Sequence, residues 1–152
     1  MTHASEAPTE GLALPELRLK PHEGRRLSAG HLWVFSNEVD TDRTPLTAFA
    51  PGATCRVIGD REQFLGYAYV NPHALICARI LGRDARFPPG KPLLVHRLQV
   101  ALALRERLYA RPFHRLVHGE SDGLPGLVLD RYGDVVIGQT GTAGMEALKA
   151  EI

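Results

Sequence analysis

A chain of 152 residues with 44% hydrophobic and 23% charged side chains has the composition of one folded domain or two small ones, with enough apolar surface to bury a core. Its formal net charge of +1 excludes a global electrostatic case for nucleic acid, so any such case must rest on local clustering. Two cysteines are too few for a zinc cluster, and an N-terminus with no basic start and no long apolar run predicts neither a signal peptide nor a membrane helix, hence a cytoplasmic protein.

Residues 1–13 are small, polar and proline-containing and are expected to form a mobile tail. A first domain is expected over residues 14–84. Structure is expected to start at Leu14, and in the ELRLK stretch Leu17 and Leu19 alternate with Arg18 and Lys20 at the period of a half-buried strand. Gly24 to Gly30 reads as one or two helical turns closed by Gly30, a residue that tolerates the left-handed conformation at a helix end. His31 to Phe35 then resumes an extended apolar run. Three strands follow in 53–58, 64–70 and 74–81, separated by turn residues at Gly59–Glu62 and Asn71–His73. Short strands at this spacing predict a small barrel or sandwich.

Residues 82–91 read as a linker inside a change of composition, and 85–152 as a second unit mixing helix and strand. Pro92 suits the first turn of a helix expected over about 92–111. Leu94, Leu98, Ala101, Leu104 and Leu108 form its apolar stripe, while Arg97, Arg105, Arg107 and Arg111 occupy a face whose default is solvation. Strands are expected in His114–His118, Pro125–Asp130 and Asp134–Gln139, with a hairpin turn within Asp130–Asp134. The last segment, Thr142 to Ile152, reads as a helix with Met145, Leu148 and Ile152 on one side. It stops without a capping residue, from which a chain cut inside a larger protein is expected.

Between Arg18 and Ser36 the chain carries Arg18, Lys20, Arg25 and Arg26 with His22 and His31, against the single acid Glu23. Guanidinium and imidazole groups beside an aromatic are suited to phosphates and unpaired bases, so Lys20, Arg25, Arg26 and His31 are candidate RNA contacts. Trp33, a large aromatic ahead of an apolar run, is expected in the core. Arg79 sits among apolar neighbours and must reach the rim or find a partner. A salt bridge and an RNA phosphate both remain open for it, and Arg79 joins the candidates.

Other stretches are expected to be structural. His118 to Gly126 holds a histidine, two acids and a serine, but at no metal-ligand spacing and among turn dipeptides. Gly138, Gly141 and Gly144 lie between a strand and a helix, yet not at the spacing of a dinucleotide loop. Cys55 and Cys77 fall in predicted strands with no adjacent base, and are expected to be buried, reduced and not nucleophilic. No catalytic, cofactor-binding or metal-binding residue is expected in the chain.

Three stretches together resemble one family: LKPHEGRRLSAGHLWVFSNEV, PGATCRVIGDREQFLGYAYVNPHALICARIL and RLVHGESDGLPGLVLDRYGDVVIGQTGTAGME. They are similar to the large-subunit ribosomal RNA (23S) cytosine-5 methyltransferases that carry an N-terminal PUA domain, over nearly the whole chain after about Leu14. GESDGLPGLVLDRYGD is the most specific run, and Leu32 departs from a proline common in the family. The resemblance implies an α+β chain, a PUA-like β-barrel followed by part of a small central α/β domain. It also implies a ribosomal RNA partner, and S-adenosylmethionine as the donor bound by a catalytic domain absent here, so that this chain is not expected to be active alone. Two rival readings are a free-standing PUA-type RNA-binding adaptor and a structural or dimerisation module with weak RNA contact. The sequence leaves a homodimer open and predicts no membrane partner.

Overall fold

The computed structural model describes residues 13–152, so the expected tail lies almost wholly outside the described residues. In chain order the elements are β1 (Glu16–Arg18), α1 (Arg25–Ser28), β2 (Trp33–Phe35), β3 (Thr54–Ile58), β4 (Phe64–Val70), β5 (Ile76–Gly82), α2 (Lys91–Leu108), β6 (Phe113–His118), β7 (Leu127–Tyr132), β8 (Val135–Thr140) and α3 (Ala143–Ala147). The fold is α+β.

The first sheet has the order β1-β3-β4-β5-β2, with β1 parallel to β3 and every other pair antiparallel. Alternation in β1 behaves as its sequence predicts: Leu17 and Leu19 are buried while Lys20 is exposed. Leu27, Val34, Val57, Val70, Cys77 and Ile80 fill the same core. The sheet curls because β4 is bent. Gly66 has φ +152°, a β-carbon there would press on the Gly82 carbonyl, and both ladders of β4 shift register beside it.

The curl does not close a barrel, which corrects the β-barrel expected from sequence. The edge strands β1 and β2 have three residues each. Beyond them the chain meets across the gap at one bridge, Leu19 to Val39, flanked by Lys20 N–H to the Glu38 carbonyl and Asp40 N–H to the Arg18 carbonyl, both 2.9 Å. The result is an open half-barrel.

The second sheet is an antiparallel meander, β6-β7-β8, and Gly133 makes the expected hairpin turn at φ +65°. Leu94 and Ala101 of α2 pack with Val117, Leu124, Leu127 and Met145. The helix ends at Leu108 rather than near 111. Pro112 disfavours helical geometry in the residue before it and supplies no N–H, and Tyr109 turns extended to stack on His114 at 5.0 Å. Leu104 and Leu108 are left exposed, so the inward stripe is only Leu94, Leu98 and Ala101.

Two arginines of α2 are not solvated as expected. Arg97 donates to the Gly123 carbonyl, and Arg105 holds both oxygens of Asp122 at 2.6 and 2.7 Å with both side chains nearly buried. The final helix is also shorter than predicted. Thr142 Oγ1 caps it by accepting from Met145 N–H at 3.2 Å, and a 3-10 turn replaces it from Lys149.

The sheets meet at Tyr69. Its hydroxyl donates to the Pro125 carbonyl and accepts from Thr142 Oγ1 at 3.0 Å, while Gly144 lies against its ring with no room for a β-carbon. Burial pushes the Tyr69 phenol up to about 12.

Cys55 and Cys77 are buried and free, as the sequence predicts. Burial pushes their thiols up to about 12 and about 11. A thiol reagent is expected to react slowly with the native protein at pH 8 and rapidly after denaturation. Both thiols ionise at lower pH when unfolded, so their stabilising contribution is complete below about pH 8.5 and declines as pH rises towards the folded values. Thermal melts should therefore fall in Tm from pH 8 to pH 11, less steeply in the C55A, C77A double variant; equal slopes would contradict the assignment.

Candidate nucleic-acid interface

The helix α1 is one turn, anchored by buried Leu27, so Arg25 and Arg26 project away from the core. They meet different fates. Arg26 pairs with Glu38, whose carboxylate is buried and also accepts from Phe35 N–H at 2.8 Å, and its guanidinium lies 5.0 Å from the centre of the Phe35 ring. Arg25 is exposed, with no side-chain hydrogen bond or ion pair among the described residues.

Gly30, at φ +106°, turns the chain out of α1 as the sequence predicts. His31 follows, exposed, its imidazole without a hydrogen bond to any described residue. The turn is braced from below by Arg83, which donates to the carbonyls of Leu27 at 2.8 Å and His31 at 2.6 Å. The ammonium of Lys20 donates to the Asn37 carbonyl at 2.9 Å, and its backbone N–H to the carbonyl of Glu38, the partner of Arg26.

Trp33 is not in the core; it is 40% exposed. Its strand is three residues long and Val34 takes the inward position, so the alternation of side chains sends Trp33 outward. Directly across the ladder is Arg79, whose guanidinium lies 5.2 Å from the indole centre. Arg79 has found an internal partner: its Nη1 donates to Glu120 Oε1 at 2.8 Å, and Trp33 Nε1 donates to the same oxygen at 2.9 Å.

Glu120 is therefore part of the site, although sequence reasoning assigned its loop to turns. The turn assignment itself holds, since Gly119–Asp122 is a 3-10 turn and Asp122 ties it down by accepting from His118 N–H at 2.7 Å. Nothing local to Glu120 signalled a partner 87 residues earlier in the chain. Arg26, Gly30, His31, Leu32, Trp33 and Glu120 line a surface groove of about 320 Å³. The structure thus brings Arg26, His31 and Arg79 to one place around Trp33, with Arg25 beside them on α1, while Lys20 does not line the groove.

Residues 17–83 match the family described as PUA-like domain. Over 135 residues the chain is 34% identical to Ribosomal RNA large subunit methyltransferase I of Shewanella denitrificans, covering 86% of this chain and 33% of that protein. The protein of the same name from Vibrio cholerae is 31% identical over 139 residues, covering 89% and 34%. The chain carries a PUA-like domain and is homologous to these methyltransferases. It spans about a third of the length of the relatives it matches. A solved structure described as a putative SAM-dependent methyltransferase from Streptococcus mutans shares the fold at TM-score 0.74 and 16% identity, over 91% of this chain and 36% of that one. The groove therefore lies on the PUA-like domain, closed at one side by Glu120 from outside the matched span.

In the stretch that most resembles a nucleotide loop, Gly138 to Gly144, Gly144 is packed on Tyr69, and Thr142 crowds Gly126, so both glycines serve close packing. Among the described residues no helix is long and apolar enough to cross a membrane.

Trp33 contributes a half-exposed ring and one hydrogen bond to the fold. Trp33→Ala is expected to cost under about 2 kcal/mol, where a buried aromatic would cost roughly 3–5 kcal/mol. Urea unfolding of the two proteins followed by circular dichroism checks this, and a loss above about 3 kcal/mol would return Trp33 to a core role.

Proposed function

We propose that this chain binds ribosomal RNA through the face formed by α1, the Gly30–His31 turn and Trp33. The observation that carries the reading is that Arg25 and His31 stand exposed, their side chains without partners among the described residues, beside a groove walled by an exposed tryptophan. Such a combination offers a charge for the RNA backbone and a plane for an unpaired base. Arg26, Arg79 and Lys20 take a secondary part, since each would have to share its internal acceptor with a phosphate.

In this reading residues 14–84 are the RNA-binding unit, and 85–152 belong to a central α/β unit that contributes Glu120 to the groove. The homology supports a place in a large-subunit ribosomal RNA methyltransferase acting at carbon 5 of a cytosine, with S-adenosylmethionine as donor. A nucleophilic thiolate for that reaction must come from elsewhere than Cys55 and Cys77, whose burial disfavours ionisation. The chain's own share is to hold the RNA.

Replacing Arg25 and His31 together by alanine should weaken binding to a large-subunit ribosomal RNA fragment about tenfold and lower the slope of log K against log salt by about one, with Tm unchanged. Arg26→Ala, by contrast, should lower Tm, because it strips a buried carboxylate of its cation. Fluorescence anisotropy across a salt series decides the first, and equal affinity with an equal slope would overturn the proposal. In calorimetry, S-adenosylmethionine should show no saturable binding to this chain; micromolar affinity would place the donor site here instead.

A further inference from the structure

A carboxylate lining a groove does not attract phosphate and is suited to a different ligand group. Glu120 is such a carboxylate. Its Oε1 accepts from Trp33 and Arg79, whereas Oε2 accepts no hydrogen bond among the described residues. The side chain is a third exposed and lines the same groove as Trp33. What it attracts is an N–H donor, and two adjacent donors most of all.

The four RNA bases differ on that point. Guanine presents N1–H and N2–H side by side on its Watson–Crick edge. Cytosine and adenine present one amino group next to a ring nitrogen whose lone pair a carboxylate opposes. Uracil presents one N–H between two carbonyl oxygens. Only guanine is complementary to a carboxylate without an opposing lone pair.

We propose that the groove is a subsite for one unpaired guanine of RNA, stacked on Trp33 with its N–H donors on Glu120. The inference rests on the RNA-binding reading above and adds a base preference to it. Arg79 positions both recognition groups, holding the carboxylate by an ion pair and the indole by its guanidinium. Arg25 and His31, at the outer side, are placed for the flanking phosphates.

Trp33 is the chain's only tryptophan, so its fluorescence reports the subsite directly. The whole chain is titrated with end-labelled pentauridylates carrying guanine, adenine, cytosine, uracil or hypoxanthine at the centre, following label anisotropy and indole emission together. The guanine oligomer is expected to quench Trp33 and to bind about tenfold more tightly than the adenine, cytosine and uracil oligomers, the lower range for a two-point base readout. Hypoxanthine lacks the N2 amino group and should lose about threefold or more on the unaltered protein. E120Q should reduce the guanine preference to about twofold or less while keeping the salt slope. Equal quenching by all bases, an undiminished hypoxanthine oligomer, or unchanged indole emission while a large-subunit ribosomal RNA fragment binds would each overturn the subsite and leave the RNA reading intact. No binding of any RNA would overturn both.

Discussion

Arg79 places a guanidinium in a strand whose neighbours are apolar, and much of the molecule is arranged around satisfying it. An unpaired charge at such a position is costly, so β5 needs a carboxylate within reach. It comes from Glu120, 41 residues later in the chain. That requirement draws the Gly119–Asp122 turn of the second sheet onto the face of the first, where the same oxygen takes the indole N–H of Trp33. One ion pair thus joins two sheets, orients the exposed aromatic and places an acid in the groove.

The other arginines show why a basic stretch of sequence is not equivalent to a basic surface. Arg26 neutralises Glu38, Arg83 holds two carbonyls of the turn around α1, Arg97 reaches a carbonyl and Arg105 grips Asp122. Arg83 and Arg97 act as braces, donating to carbonyls that short elements do not satisfy for themselves. A one-turn helix and three-residue edge strands leave many backbone carbonyls unpaired, and a planar guanidinium with several donors suits them. Within the stretch from Arg18 to Ser36, the guanidinium left without an internal partner among the described residues is that of Arg25.

The joint at Tyr69 works alongside the ion pair. Its buried hydroxyl both donates and accepts across the two sheets, and Gly144 permits the close approach of α3. Because a buried phenol in two hydrogen bonds is costly to separate from its partners, the joint favours a fixed relation between the PUA-like domain and the strands beyond it. A groove whose walls come from both sides keeps its shape only if that relation holds.

Features set by near neighbours are legible in the amino-acid sequence. These include the alternation of Leu17 and Leu19, the Gly30 turn, the β3–β5 strands with their intervening turns, the β7–β8 hairpin, and the burial of Cys55 and Cys77. Each depends on side-chain periodicity or turn chemistry within a few residues, which the chain carries along its length. Tertiary structure alone decided the outward position of Trp33, the partner of Arg79, the entry of Glu120 into the site, the inward turn of Arg97 and Arg105, and the failure of the first sheet to close. In a three-residue strand one step of register exchanges the inside for the outside. An ion pair spanning 41 residues, or an edge joined by one bridge, depends on how distant segments pack, and no local pattern encodes that.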